Sequence, residues 1–241
     1  MRWTSSHTLL LSCVAALLGL ARCTPAVESG SAITASAKSN EDFFGGQLVY
    51  AVTTEYYGDN PRHRAYYERE KFGDSVFVTV APDGRYRRDY PSAGPRGYDF
   101  TLYLPATNTV YAGFNFMDTV LSYRPDASAL TGQLIRTLST EELDCRNCAG
   151  LLLTGRDSLG GLDVRMRFTY RPDGPAVNAA AWARNRDLGA GELFARSGRH
   201  WDEIDCDFGN YRVVMRLARA TPGPVADEAF AVPAGRPVKL E

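Results

Sequence analysis

The sequence predicts a mainly β fold, a curved antiparallel sheet of half-barrel or barrel-like form with one or two short helices. Three observations carry that expectation. Apolar and polar residues alternate with period two in at least five segments, tight-turn sequences fall between those segments, and stretches of helical period are few and broken by glycine.

The first strand is Gln47–Thr54, where Leu48, Tyr50 and Val52 share a face. Arg62–Phe72 reads as a short helix or an irregular strand. Ser75–Val80 sets Val76, Val78 and Val80 on one side, and Ala81-Pro82-Asp83-Gly84 turns it into Arg85–Tyr90 as a hairpin. Tyr98–Leu104 aligns Tyr98, Phe100, Leu102 and Leu104, then Pro105–Asn108 turns the chain into Thr109–Phe114. Weaker strands are expected at 117–123, 134–138, 150–155 and 178–185. Ser158–Gly161 turns into Leu162–Tyr170, whose even residues are all apolar and odd residues all polar. Asp187–Arg199 allows one or two helical turns, and Tyr211–Leu217 closes the strand series with Val213 and Met215 on one face. Eight to ten strands follow. Such alternation suits a sheet with one face on a core and one in water.

Ahead of the strands, Met1-Arg2 and a 13-residue apolar run from Leu9 to Ala21 lead into Cys23-Thr24-Pro25-Ala26. A hydrocarbon core needs roughly 20 apolar residues to be crossed, so residues 1–26 read as a signal peptide. Residues 27–42 are small and polar and read as a flexible tether, which leaves 43–241 as a single β-dominated domain. The expected location is the periplasm or outer membrane. Two maturations stay open: simple cleavage near Ala26, which is favoured, or membrane anchoring through an acylated Cys23, against which Arg22 stands where a small residue is usual. Removing the leader leaves 25 basic and 28 acidic side chains, a net charge of −3, with 24 of the chain's cations Arg and only Lys38, Lys71 and Lys239 lysine. No basic footprint for nucleic acid results.

The order of export signal, tether, Phe43-Phe44-Gly45-Gly46 entry, hairpin meander, late Trp182 segment and closing Phe230-x-x-Pro233-x-Gly235 element resembles the periplasmic lipoprotein carriers of the LolA type and related exported half-barrel families. The resemblance spans most of residues 43–238. It implies a curved sheet whose concave face receives acyl chains beneath covering helices. Few helical stretches in this sequence correspond to those covers.

Candidate chemistry is sparse. His63 sits in the basic stretch Pro61–Arg64 and reads as exposed, no Gly-x-Ser-x-Gly elbow serves a serine nucleophile, and Glu141-Glu142 and Asp202-Glu203 read as solvated acids. No catalytic residue and no cofactor is assigned. The cysteines are more informative. Outside the cytoplasm the expectation is a disulfide from Cys206 to Cys145 or Cys148. A zinc site using Cys145, Cys148, His200 and Cys206 is the alternative, and a redox role for Cys145-x-x-Cys148 the least favoured. Ten tyrosines between Tyr50 and Tyr111 suit either strands or a ligand groove. The expected function is a non-enzymatic envelope protein that binds a lipid, acyl chain or other apolar ligand against Leu48, Tyr50, Val52, Phe100, Leu102, Val164, Met166, Val213 and Met215. The alternative is a structural or interaction protein with a filled core.

Overall fold

The computed structural model describes residues 42–158 and 160–240. The expected signal peptide, Cys23 and all but the last residue of the tether lie outside the described residues.

Twelve strands form one sheet that is not closed into a barrel. They are β1 (Gly46–Tyr56), β2 (Ser75–Val80), β3 (Tyr86–Asp89), β4 (Tyr98–Leu104), β5 (Thr109–Phe114), β6 (Val120–Tyr123), β7 (Leu130–Thr137), β8 (Ala149–Asp157), β9 (Asp163–Tyr170), β10 (Glu203–Asp207), β11 (Tyr211–Pro222) and β12 (Val238–Leu240). Their order is β12-β6-β5-β4-β3-β2-β1-β11-β10-β9-β8-β7. Every pairing is antiparallel except β12 on β6. The expected hairpin turn at residues 81–84 forms, with the Gly84 amide donating to Ala81 O at 2.9 Å. Gly84 has φ +91°, which a residue with a Cβ rarely adopts.

The sheet curls, and the connection between β6 and β7 shows by how much. Tyr123 and Leu130 are seven residues apart, a reach of about 25 Å at full extension. In the strand order β6 and β7 are ten steps apart, about 48 Å in a flat sheet. The two flanks must therefore bend toward each other, and both meet the turn Asp187–Gly189. On the β6 side, Tyr123 Oη donates to Asp187 Oδ2 at 3.0 Å and the Arg186 amide donates to Pro125 O at 2.7 Å. On the other side Gly189, at φ +69°, lies so close to Gln133 and Ile135 of β7 and Leu153 of β8 that a Cβ there would crowd them.

Two connections pack over the inner face. Residues 171–202 contain α1, here Ala179–Trp182, and α2, Ala190–Ser197. Trp182 packs on Tyr86, Tyr103 and Phe194, and Phe194 on Trp201. Residues 57–74 hold Pro61–Ala65, a helical turn that Asn60 caps by accepting from the Arg62 and His63 amides, followed by a π turn at Tyr66–Glu70. Arg62–Phe72 is thus largely helical. The strand expected at 178–185 is corrected: Asn178 Oδ1 accepts from the Ala181 amide and starts a helix that delivers Trp182 to the core. Twelve strands replace the expected eight to ten, β10 and β12 being additional.

A second apolar cluster lies on the outer face, where Phe230 covers Ala81, Phe100, Leu102 and Val120. The closing Phe230–Gly235 element is a strap here: Arg85 lies over the Phe230 ring and Arg87 donates to Ala231 O at 3.1 Å. Elsewhere the outer face of β9–β11 carries ion pairs, with Arg167, Arg212 and Arg216 meeting Glu203 and Asp205.

Phe100 is fully buried beneath this strap. Phe100→Ala is expected to cost about 3–5 kcal/mol. Urea unfolding followed by tryptophan fluorescence measures it, and a loss below about 1 kcal/mol would mean the strap packs loosely.

Candidate functional site

The nine residues expected to line a ligand surface do not share one. Leu48, Tyr50, Val52, Val164, Met166 and Val213 are all within the inner core, each at most 5% exposed. Met215 is half-buried against the same core. Phe100 and Leu102 are corrected to the opposite face. The cause is a register shift between Tyr98 and Phe100 in the β4–β5 ladder. This irregularity turns Tyr98 inward, onto Phe72 and Phe114, while Phe100 and Leu102 face outward.

The cysteine expectation is also corrected. Cys145 and Cys148 are bonded to each other in the exposed loop before β8, and Cys206 is a free thiol, 4% exposed. Strand register separates them: Gly150 pairs with Thr169, whereas Cys206 pairs with Met166 of the same strand, three residues further along and one strand beyond. The zinc alternative fails with it. His200 lies among the rings of Phe44, Tyr86 and Phe194, and among the described residues no group of three metal-ligating side chains comes together. Burial pushes the Cys206 thiol far up, so it stays protonated.

What the inner face does assemble is a polar pocket within the aromatic core. β3 sets Tyr86, Arg88 and Tyr90 inward by simple alternation, while Arg87 faces out onto the Phe100 ring. Arg88 Nε donates to Tyr86 Oη at 3.4 Å, with the guanidinium 5.1 Å from that ring's centre. Beside it lie Tyr90 and Tyr98, their ring centres 5.3 Å apart, and the Tyr123–Asp187 hydrogen bond completes the group. Arg88, Tyr98, Tyr123 and Asp187 each keep part of their surface accessible to water. Loss of solvent is nevertheless the largest influence on the titration of each one. These four side chains therefore stand at the partly accessible margin of the aromatic core.

Burial and the neighbouring acid raise the Tyr123 hydroxyl, and burial raises the Asp187 carboxyl against its hydrogen bond from Tyr123 and the charge of Arg88. Desolvation opposes the charge on Arg88, but the hydroxyls of Tyr86 and Tyr90 outweigh it and hold the guanidinium protonated. Lys71 sits beside this pocket, 6% exposed. Its Nζ donates to Tyr211 Oη at 2.8 Å and lies 4.3 Å from the Tyr211 ring centre and 5.1 Å from that of Tyr67. Burial lowers its pKa to about 8.

Of this group only Tyr67, Tyr86, Tyr90 and Tyr98 figured among the sequence candidates. Arg88 was legible as a charge at an inward position between Tyr86 and Tyr90. Lys71 and Asp187 carried no such signal, because each lies in an irregular connection. The surface also has two open hollows, of about 590 and 640 Å³. In the larger, Arg85 is paired with Asp83 and Asp227, and Arg184 donates to the carbonyls of Pro105 and Ala106. Compared with known proteins, the chain matches no family model and no curated sequence.

Two outcomes follow from the buried His200 and Cys206. His200 Nε2 is buried without a hydrogen-bond partner, and burial lowers the ring's pKa from 6.5 to about 4. An unfolded chain takes up this proton between pH 6.5 and 4 while the folded chain refuses it, so stability is full above 6.5 and falls by about 3 kcal/mol on acidification to 4. His200→Leu should flatten that part of the profile, measured by urea midpoints from pH 7 to 4. For the cysteines, Cys206 should react with a maleimide only after unfolding, whereas mild reductant should open Cys145–Cys148 with a stability loss of no more than about 2 kcal/mol, since the bridge closes so short a loop. Rapid labelling of Cys206 in the folded protein would contradict its burial.

Proposed function

We propose that this chain is an exported, non-enzymatic protein of the cell envelope that binds a lipid, acyl chain or other apolar ligand inside its curled sheet. The observation that carries the reading is the partly accessible surface of Tyr98, Tyr123 and Leu188 where it adjoins the aromatic core. Aromatic and apolar walls with a few convergent polar groups are the usual composition of a small-molecule site. A non-enzymatic role is supported by the state of the groups around it. The tyrosine hydroxyls are raised and Arg88 is fixed in its charged form, so they offer recognition rather than proton transfer. Lys71, which titrates nearest neutrality, is shut behind the rings of Tyr67, Phe72 and Tyr211. The likeness in element order to the lipoprotein carriers is consistent with this role and with export.

A second reading has its own support. Six of the nine residues expected to line the ligand are packed within the core, as in a structural or interaction protein with a filled interior. Titration with the neutral fluorescent probe N-phenyl-1-naphthylamine separates the two. Saturable binding of about one probe per chain, lost when Ala112→Trp fills the inner face of β5, is expected of the binding module. Fluorescence that never saturates, or that Ala112→Trp leaves unchanged in a folded variant, favours the filled-core protein.

A further inference from the structure

We propose that Arg88 is the receptor for an anionic head group, a carboxylate or phosphate, on an amphipathic ligand whose apolar body lies against Tyr98 and Tyr123. The inference rests on the binding reading above and names the ligand class for that surface.

A guanidinium offers five N–H donors in a planar fork that matches a carboxylate or phosphate edge, and it is expensive to enclose without an acceptor of opposite charge. Most buried arginines meet that need with a carboxylate. Among the described residues Arg88 has none within 4.0 Å, and the neighbours that bond it are the neutral hydroxyls of Tyr86 and Tyr90. The contrast with the outer face is direct. There Arg167, Arg212 and Arg216 each reach Glu203 or Asp205.

The inner face therefore places its arginine where no carboxylate of the described residues forms an ion pair with it. Lys71, satisfied by Tyr211, brings a second positive charge to the same interior. Asp187 brings a negative one, but its Oδ2 is engaged by Tyr123, and it stands beyond ion-pair distance of Arg88. Arg88 also keeps part of its surface accessible. The rings of Tyr90, Tyr98 and Phe72 continue from it as a contiguous aromatic wall, Tyr98 stacked on Phe72 and Tyr90 tilted against both.

The test compares ten-carbon ligands that differ only in the head: decanoate, decyl phosphate, 1-decanol and decylammonium. Each is titrated calorimetrically, or by displacement of N-phenyl-1-naphthylamine, at pH 7. Decanoate or decyl phosphate should bind at least about tenfold tighter than 1-decanol, and decylammonium more weakly than 1-decanol. Which of the two anions binds tighter identifies the head group as carboxylate or phosphate. Arg88→Gln should remove the anion preference while probe binding persists, and Arg88→Lys should retain part of it. Asp187→Asn, which deletes a negative charge that Arg88 acts on, should strengthen anion binding. Equal binding of anion and alcohol by the unaltered protein overturns the proposal even if Arg88→Gln does not fold. So does an anion preference that survives Arg88→Gln. If the probe and all four ligands fail to bind, the binding reading itself is wrong.

Discussion

The constraint on which the rest of this structure depends is the short link between β6 and β7. Six residues join strands that stand ten steps apart in the sheet, so the sheet has no flat alternative. Curling it encloses an inner face that the strands alone do not fill. The connections at 57–74 and 171–202 fill it, which explains why the longest excursions between strands carry Trp182, Phe194, Trp201, Tyr67 and Phe72. The turn Asp187–Gly189 is then the point at which both flanks are held, through Tyr123 on one side and β7–β8 on the other.

This division of labour sorts the charges as well. On the outer face, cross-strand arginines and acids alternate along β9, β10 and β11 and neutralise one another under partial solvent screening, where each pair contributes little individually. On the inner face the same residue type stands among tyrosines. Tyr86 and Tyr90, which flank it, are buried in the core. The proposed head-group site rests on that asymmetry between the two faces.

The sequence reveals the β architecture because alternation and turns are local. Leu162–Tyr170, the 81–84 turn and Tyr211–Leu217 all form as the pattern predicts. Glu203-Ile204-Asp205-Cys206-Asp207 shows equally clean alternation and is β10, but with three acids and only two apolar residues the run is too short and too polar to mark a strand by itself. Other features depend on information that no local pattern holds. The irregularity at Tyr98–Phe100 sends two apolar residues of one alternating run to opposite faces, so the ligand surface read from that run is split. Cys206 and the Cys145–Cys148 loop are kept apart by the register of three strands, which spacing in sequence does not encode. Asn178 converts an apparent strand into a helix through one side-chain hydrogen bond.

The pairing of β1 with β11 has a kinetic meaning. Gly46 lies opposite Pro222 and Tyr56 opposite Tyr211, so the most extensive ladder in the sheet joins residues more than 150 positions apart. As the chain emerges from its N-terminus, β1 can take β2 at once but must wait for nearly the whole remaining sequence before its other edge is covered. Topologies weighted toward such distant contacts fold slowly, because loop-closure entropy is spent before the contacts return it. Until β11 arrives, the protein is a pair of partial sheets with the central seam open, and synthesis of Tyr211–Pro222 sets the moment at which it becomes one.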